Sequence, residues 1–148
     1  MQKLREIIVP GFLITVQRTA MVAEAAHVMA SRNVGIVAVL EDDRLVGLFS
    51  ERDLLRRVVD HGLNPNDTVL GDVMTHDLIV ADAGDDYQSA LGKMDQANIR
   101  HLPVVSDGRL LSMLSIRDLM RLEIHQRSEE LRYLHEYLYQ IAPDAPRR

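Results

Sequence analysis

The sequence contains no cysteine. That excludes disulfides, thiol nucleophiles and thiolate metal sites, without fixing a compartment. Its six histidines, at 27, 61, 76, 101, 125 and 135, never fall in an HxxxH or HxH spacing, so no metal site is expected. Apolar runs stop after a handful of residues, far short of a membrane span. The N-terminus lacks a charged start followed by an apolar stretch and a small-residue cleavage site, so no signal peptide is indicated and the cytoplasm is the expected location. A P-loop and a Ser/His/Asp set are also missing, and nothing ties two carboxylates to one cleft as acid and base. No catalytic residue is named, and no enzyme is expected.

Basic charge is not in surplus either. The net charge is −5, with eight basic and eight acidic side chains in residues 1–65, five and ten in 66–125, and four and four in 126–148. This argues against a nucleic-acid partner that relies on phosphate neutralisation. A small phosphorylated ligand remains compatible, since it needs only one or two local cations and a helix end.

What the chain does have is a duplication. Shifting its 148 residues by sixty-five aligns Ile14 with Ile79, Ala25 with Ala90, Met29 with Met94, Asn33 with Asn98, Val39 with Val104 and Asp42 with Asp107. Arg44-Leu45 meets Arg109-Leu110, and Arg56 meets Arg121, all without a gap. Three parts follow: a first repeat with lead-in and linker, 1–65; a second repeat, 66–125; and a C-terminal helical extension and tail, 126–148.

Each repeat reads as β-α-β-β-α. A short helical lead-in (Leu4–Ile8; Val69–Met74) precedes an extended run (Leu13–Val16; Leu78–Ala81). A helix follows over 21–32 and 86–97, with apolar residues at helical spacing: Val22, Ala25, Ala26 and Met29, then Tyr87, Ala90, Leu91 and Met94. Asn33 and Asn98 suit a left-handed helix end. Two apolar strands then flank a polar turn, Ile36–Leu40 with Leu45–Phe49 and Leu102–Val105 with Leu110–Leu114; Asp107-Gly108 is a strong hairpin signal. A closing helix runs over Glu51–His61 and from Ile116 onward. A unit of this size buries little surface alone, so the fold expected is α/β (α+β), with the two repeats packed sheet to sheet. The second closing helix is expected to reach about Gln140, with a heptad-like stripe at Met120, Ile124, Leu131, Leu134, Leu138 and Ile141 that Arg127 interrupts. It either folds back on its own domain or makes a dimer contact.

The strand-to-helix junctions Ser50-Glu51-Arg52-Asp53 and Ser115-Ile116-Arg117-Asp118 are the strongest repeated feature. Ser with Asp three residues on fits a capping box, although Glu or Gln is the commoner partner. Together with Gly47-Leu48-Phe49, Asp72-Val73-Met74-Thr75 and Ile99-Arg100-His101-Leu102-Pro103-Val104-Val105, these junctions resemble a pair of cystathionine-β-synthase (CBS) domains, or Bateman module, over roughly residues 3–125. The chain looks like a stand-alone CBS-pair protein.

The resemblance implies a regulatory module that binds an adenosyl ligand (AMP, ADP, ATP, sometimes NAD or S-adenosylmethionine) between the repeats, with no cofactor required. The family's ribose-binding Asp falls on Asp53 and Asp118, and its Ser/Thr on Ser50 and Ser115. Its pocket-lining Thr matches Thr15, whereas Val80 stands in the second copy, and its final Gly is replaced by Ser112. A carboxylate at 53 or 118 suits a vicinal diol, and capping and ligand binding can coexist. Arg100 and His101, where the first repeat has Gly35 and Ile36, are candidates for phosphate and lead to an expectation of unequal sites; the alternative is a solvated Arg and a packed His. Arg52 and Arg117 either meet phosphate or lie on the helix surface, and Ala38 and Pro103 either face adenine or are core. The partners expected are an adenosyl small molecule, a second copy and an unidentified target protein, with no nucleic acid and no membrane. The alternative is a dimeric scaffold of the same fold that has lost its ligand.

Overall fold

The structure, a computed structural model, describes residues 2–8 and 13–141. Its order is α1 (Leu4–Ile7), β1 (Thr15–Gln17), α2 (Val22–Arg32), β2 (Ile36–Glu41), β3 (Arg44–Ser50), α3 (Glu51–Asp53) running into a π-helical stretch (Leu54–Val59), and α4 (Leu70–Val73). The second half gives β4 (Ala81–Asp82), α5 (Tyr87–Ala97), β5 (His101–Ser106), β6 (Arg109–Ser115) and α6 (Ile116–Ile141). Two three-stranded sheets result, β1-β2-β3 and β4-β5-β6. In each, the first strand runs parallel to the second, which pairs antiparallel with the third. The mixed α/β class and the paired repeats expected from the sequence are both present.

Local chemistry accounts for the punctuation. Asn33 and Asn98 end α2 and α5 at φ 54° and 53°, the left-handed region that Asn tolerates. Both hairpins turn through two positive-φ residues, Asp42 and Asp43 (φ 49° and 61°) and Asp107 and Gly108 (φ 52° and 78°). That is the primed geometry that matches strand twist. The first strands are shorter and later than the apolar runs suggest. β1 starts at Thr15 and β4 at Ala81, because pairing begins only where Thr15 meets Ala38 and Ala81 meets Val104. The closing helix of the first repeat is not continuously α. Asp60 N–H donates to Leu55 O at 2.9 Å, five residues back, and the wider winding buries Val58 while leaving Leu55 and Val59 outside.

Two apolar cores form, and the lead-ins are exchanged between them. Leu4 of α1 packs with Ala81, Tyr87, Met94, Leu102 and Leu119 of the second repeat, whereas Leu70 and Val73 of α4 pack with Val22, Val37, Phe49 and Val58 of the first. Backbone hydrogen bonds fasten both: Leu4 N–H to Asp85 O at 2.8 Å, and Leu70 N–H to Ala20 O at 2.8 Å. Residues expected to introduce one repeat therefore complete the other. The sheets meet along β3 and β6.

The long last helix does not fold back. Leu119 and Leu122 contact the second core, and Tyr87 Oη donates to Gln126 Oε1 at 2.6 Å while Gln126 Nε2 donates to Gln2 Oε1 at 2.8 Å. Beyond that clamp every residue from 127 to 138 is exposed. No helix among the described residues is long and apolar enough to cross a membrane.

Candidate functional site

Each junction is a cap before it is anything else. Ser50 N–H donates to Asp53 Oδ2 at 3.0 Å, Asp53 N–H donates to Ser50 Oγ at 3.1 Å, and Ser50 Oγ–H reaches Asp53 Oδ2 at 3.1 Å. Ser115 and Asp118 repeat the reciprocal pair at 3.2 and 3.1 Å. The capping box is thus real with the shorter Asp in the acidic position, worth about 1 kcal/mol per cap.

The two carboxylates then part company. Asp53 also accepts from Thr75 Oγ1 at 3.1 Å and lies 3.6 Å from Arg57 Nε, with its side chain only 13% exposed. Asp118 is exposed and has Ser115 as its hydrogen-bond partner. Thr75 reaches Asp53 because residues 74–75 cross β3, where Leu48 and Thr75 exchange backbone hydrogen bonds at 2.9 and 2.8 Å. Gly47 permits that crossing, since a Cβ there would collide with Met74 Sδ and stand 3.0 Å from Thr75 O.

Two cavities of about 500 and 490 Å³ open between the repeats. One is walled by Leu13, Ile14, Asn33–Ile36 and Ala38 of the first repeat and by Leu110, Ser112, Met113 and Ser115–Arg117 of the second. The other joins Leu48, Ser50–Asp53 and Thr75 to Asp77–Ile79, Asn98 and Ile99. Gly35, Ile36, Arg100 and His101 line both. They are called here the Arg117 cavity and the Glu51 cavity. Each combines the junction of one repeat with the extended entrance and helix end of the other, as the shift of sixty-five requires.

Of the residues singled out in the sequence, Ala38, Ser50, Arg52, Asp53, Arg100, His101, Ser115 and Arg117 reach a cavity wall. Thr15, Val80, Pro103 and Asp118 do not. Thr15 is held in strand register with Ala38. The Val80 carbonyl accepts from Lys93 Nζ at 3.1 Å, Pro103 is fully buried, and the Asp118 carboxylate is turned back onto the Ser115 amide of its own cap. Arg100 and His101 cannot by themselves distinguish the two cavities, because they border both. Glu51, Thr75, Asp77, Asn33 and Asn98 were missed as wall residues. The signal for Thr75 was its place in Asp72–Thr75; for Glu51 it was the difference from Ile116.

The helix starts contribute less to an anion than their dipoles suggest. Ile116 N–H donates to Arg100 O at 2.7 Å and Glu51 N–H to Gly35 O at 3.0 Å. With the third amide of each turn spent on the Ser hydroxyl, two of the first three amides are already used. Phosphate would have to rely on the guanidiniums. His101 titrates below the usual histidine value of 6.5, chiefly because burial penalises its charged form and also because Arg100 repels a proton, against a pull from Asp118. It is therefore neutral at pH 7. Among the described residues no cluster of His, Asp and Glu could hold a metal ion.

A family model for the CBS domain matches residues 5–60 and 70–125. The CBS domain-containing protein CBSX3, mitochondrial, of Arabidopsis thaliana is 34% identical over 122 residues, which cover 79% of this chain and 59% of that protein. The chain thus spans about three fifths of the length of that curated relative. A CBS-domain crystal structure superposes with TM-score 0.76 at 26% identity, covering 83% of this chain and 98% of the other. A CBS domain protein from Pyrobaculum aerophilum, solved in complex with AMP, is 30% identical with TM-score 0.68, covering 79% and 89%. With two family matches that follow its two sequence repeats, the chain belongs to the CBS-domain family as a tandem pair, a class of regulatory, non-catalytic modules.

Proposed function

We propose that this CBS pair is a cytoplasmic sensor that binds an adenosyl nucleotide between its repeats and, as a homodimer, alters how a separate target protein is held. The observation that carries the ligand is the pair of inter-repeat cavities, each bringing a strand-to-helix junction, Ser115–Arg117 or Ser50–Asp53, to the same wall as Arg100. Neither Arg100 nor Arg117 has an ion-pair partner among the described residues, so both guanidiniums are available for charge-assisted contacts to phosphate. The AMP bound by the Pyrobaculum relative supports the same ligand class. AMP, ADP and ATP lead the candidates, with NAD and S-adenosylmethionine behind them, and no cofactor is needed.

The second copy is supported by exposed apolar residues that recur in both repeats. Leu55 and Val59 are 61% and 58% exposed, and their counterparts under the shift, Met120 and Ile124, are 53% and 63% exposed. Exposed apolar residues at equivalent positions of both repeats are suited to an isologous contact. Ligand could shift the dimer only by binding its arrangements with different affinity.

The test is thermal shift and calorimetry with AMP, ADP, ATP, NAD, NADH and S-adenosylmethionine. Stabilisation by at least one is expected, weakened by Arg100→Ala or Asp53→Ala. If none stabilises the protein, the ligand reading is wrong, and the second reading stands: a dimeric scaffold of the same fold. That reading is favoured by Asp53, whose carboxylate is already satisfied by Ser50, Thr75 and Arg57, and by the departures at Val80 and Ser112.

A further inference from the structure

Position by position, the two cavities have almost the same walls. Leu13 and Ile14 correspond to Leu78 and Ile79, Asn33 to Asn98, Ser115 to Ser50 and Arg117 to Arg52. The departure at the heart of the junction is Ile116 in one cavity against Glu51 in the other. The Arg117 cavity therefore carries two guanidiniums and no carboxylate among its described lining residues. The Glu51 cavity carries two guanidiniums with the carboxylates of Glu51, Asp53 and Asp77.

These carboxylates are not equivalent. Asp53 is engaged by Thr75, Ser50 and Arg57, and Asp77 is almost fully exposed at 98%, where water screens it. Glu51 is exposed as well, but no ion pair engages its carboxylate among the described residues. It sits over Gly35, where an added Cβ would stand 3.3 Å from Oε2. Gly35, Glu51 and Arg100 all line this cavity, so a phosphate drawn to Arg100 there shares the space with the Glu51 carboxylate. A carboxylate without an ion-pair partner in the same cavity repels an anion and attracts a cation.

We propose that Glu51 sets the charge selectivity of its cavity. The Arg117 cavity takes a phosphate-bearing adenosyl ligand, and the Glu51 cavity takes an adenosyl ligand whose 5′ substituent is uncharged or cationic. This rests on the ligand reading above and divides it between two sites.

AMP and adenosine are the probes, with calorimetry for affinity and methyl NMR for location. The Met113 methyl reports on the Arg117 cavity alone and the Ile79 methyl on the Glu51 cavity alone. In the wild-type chain AMP should shift Met113 well before Ile79, while adenosine shows no such preference. Glu51→Gln should tighten AMP at the Ile79 site about tenfold, as removing one nearby charge at an effective dielectric near 20 implies, and leave adenosine unchanged. Ile116→Glu should weaken AMP at the Met113 site to a similar extent. Equal AMP binding at both sites in the wild type, or no response to Glu51→Gln, overturns the selectivity and leaves the ligand reading intact. Failure of both AMP and adenosine to bind overturns the two together.

Discussion

Gly47 and His101 show how much of the site depends on single side chains. Gly47 has no Cβ where residues 74–75 cross β3, and that crossing delivers Thr75 to Asp53. Gly47→Ala should cost about 1–3 kcal/mol, the usual range for overpacking a close contact, and should show as a lowered urea midpoint with an unchanged m-value. Ser112, the counterpart of Gly47, lines the Arg117 cavity instead. His101 makes a pH prediction with a definite sign. Burial holds its pKa below the unfolded value of 6.5, so the unfolded chain binds the proton more readily. Its contribution to stability is fully present above pH 6.5 and is lost as pH falls through the lower folded value. Melting temperatures measured from pH 7.5 down to 5 should fall, and His101→Gln should flatten that fall. A bound phosphate would reverse the sign locally, so AMP should bind more tightly at pH 6 than at pH 7.5, with proton uptake visible as a buffer-dependent binding heat.

At the scale of elements, the helices and hairpins were legible because their signals are local. Asn33 and Asn98 marked helix ends, Asp107-Gly108 marked a turn, and the apolar spacing of α2 and α5 marked their buried faces. The first strands were misplaced because an apolar run does not say where pairing begins; Ala38 and Val104 decide that from elsewhere in the chain. The π-helical stretch at Leu54–Val59 had no sequence signal either, since it depends on which side chains find room in the core. The site was half legible. Ser50, Asp53, Ser115 and Arg117 could be found by repetition, but Glu51 and Thr75 act through neighbours that only the fold supplies. α6 carries the plainest open question of this scale. Leu131, Leu134 and Leu138 are 68%, 54% and 63% exposed on one stripe, and a helix in water gains from covering such a stripe. If a second copy covers it, Leu131→Glu with Leu138→Glu should shift the mass seen by light scattering from dimer toward monomer at micromolar concentration. The melting of the cores should change little, because the helix beyond the Gln126 clamp leaves them. An unchanged mass would remove the part of α6 beyond Gln126 from the dimer contact.

For the whole molecule, the exchange of α1 and α4 makes the two repeats mechanically interdependent. Leu4 is fully buried in the second core and Leu70 in the first. Leu4→Ala should therefore cost about 2–5 kcal/mol, as other buried Leu→Ala changes do. Amide exchange should show the loss of protection in β4–β6, sixty or more residues away, before β1–β3; the reverse pattern would place α1 on the wrong core. The same exchange also sets an order on synthesis. As the chain leaves the ribosome, α4 follows directly on the sheet it completes, so the first repeat can close as soon as about residue 75 has emerged. α1 is made before either sheet, but its docking surface reaches to Leu119, and Gln2 beside it bonds Gln126, so it must wait until the second repeat is out. The helix made ahead of both sheets is the last to find its place.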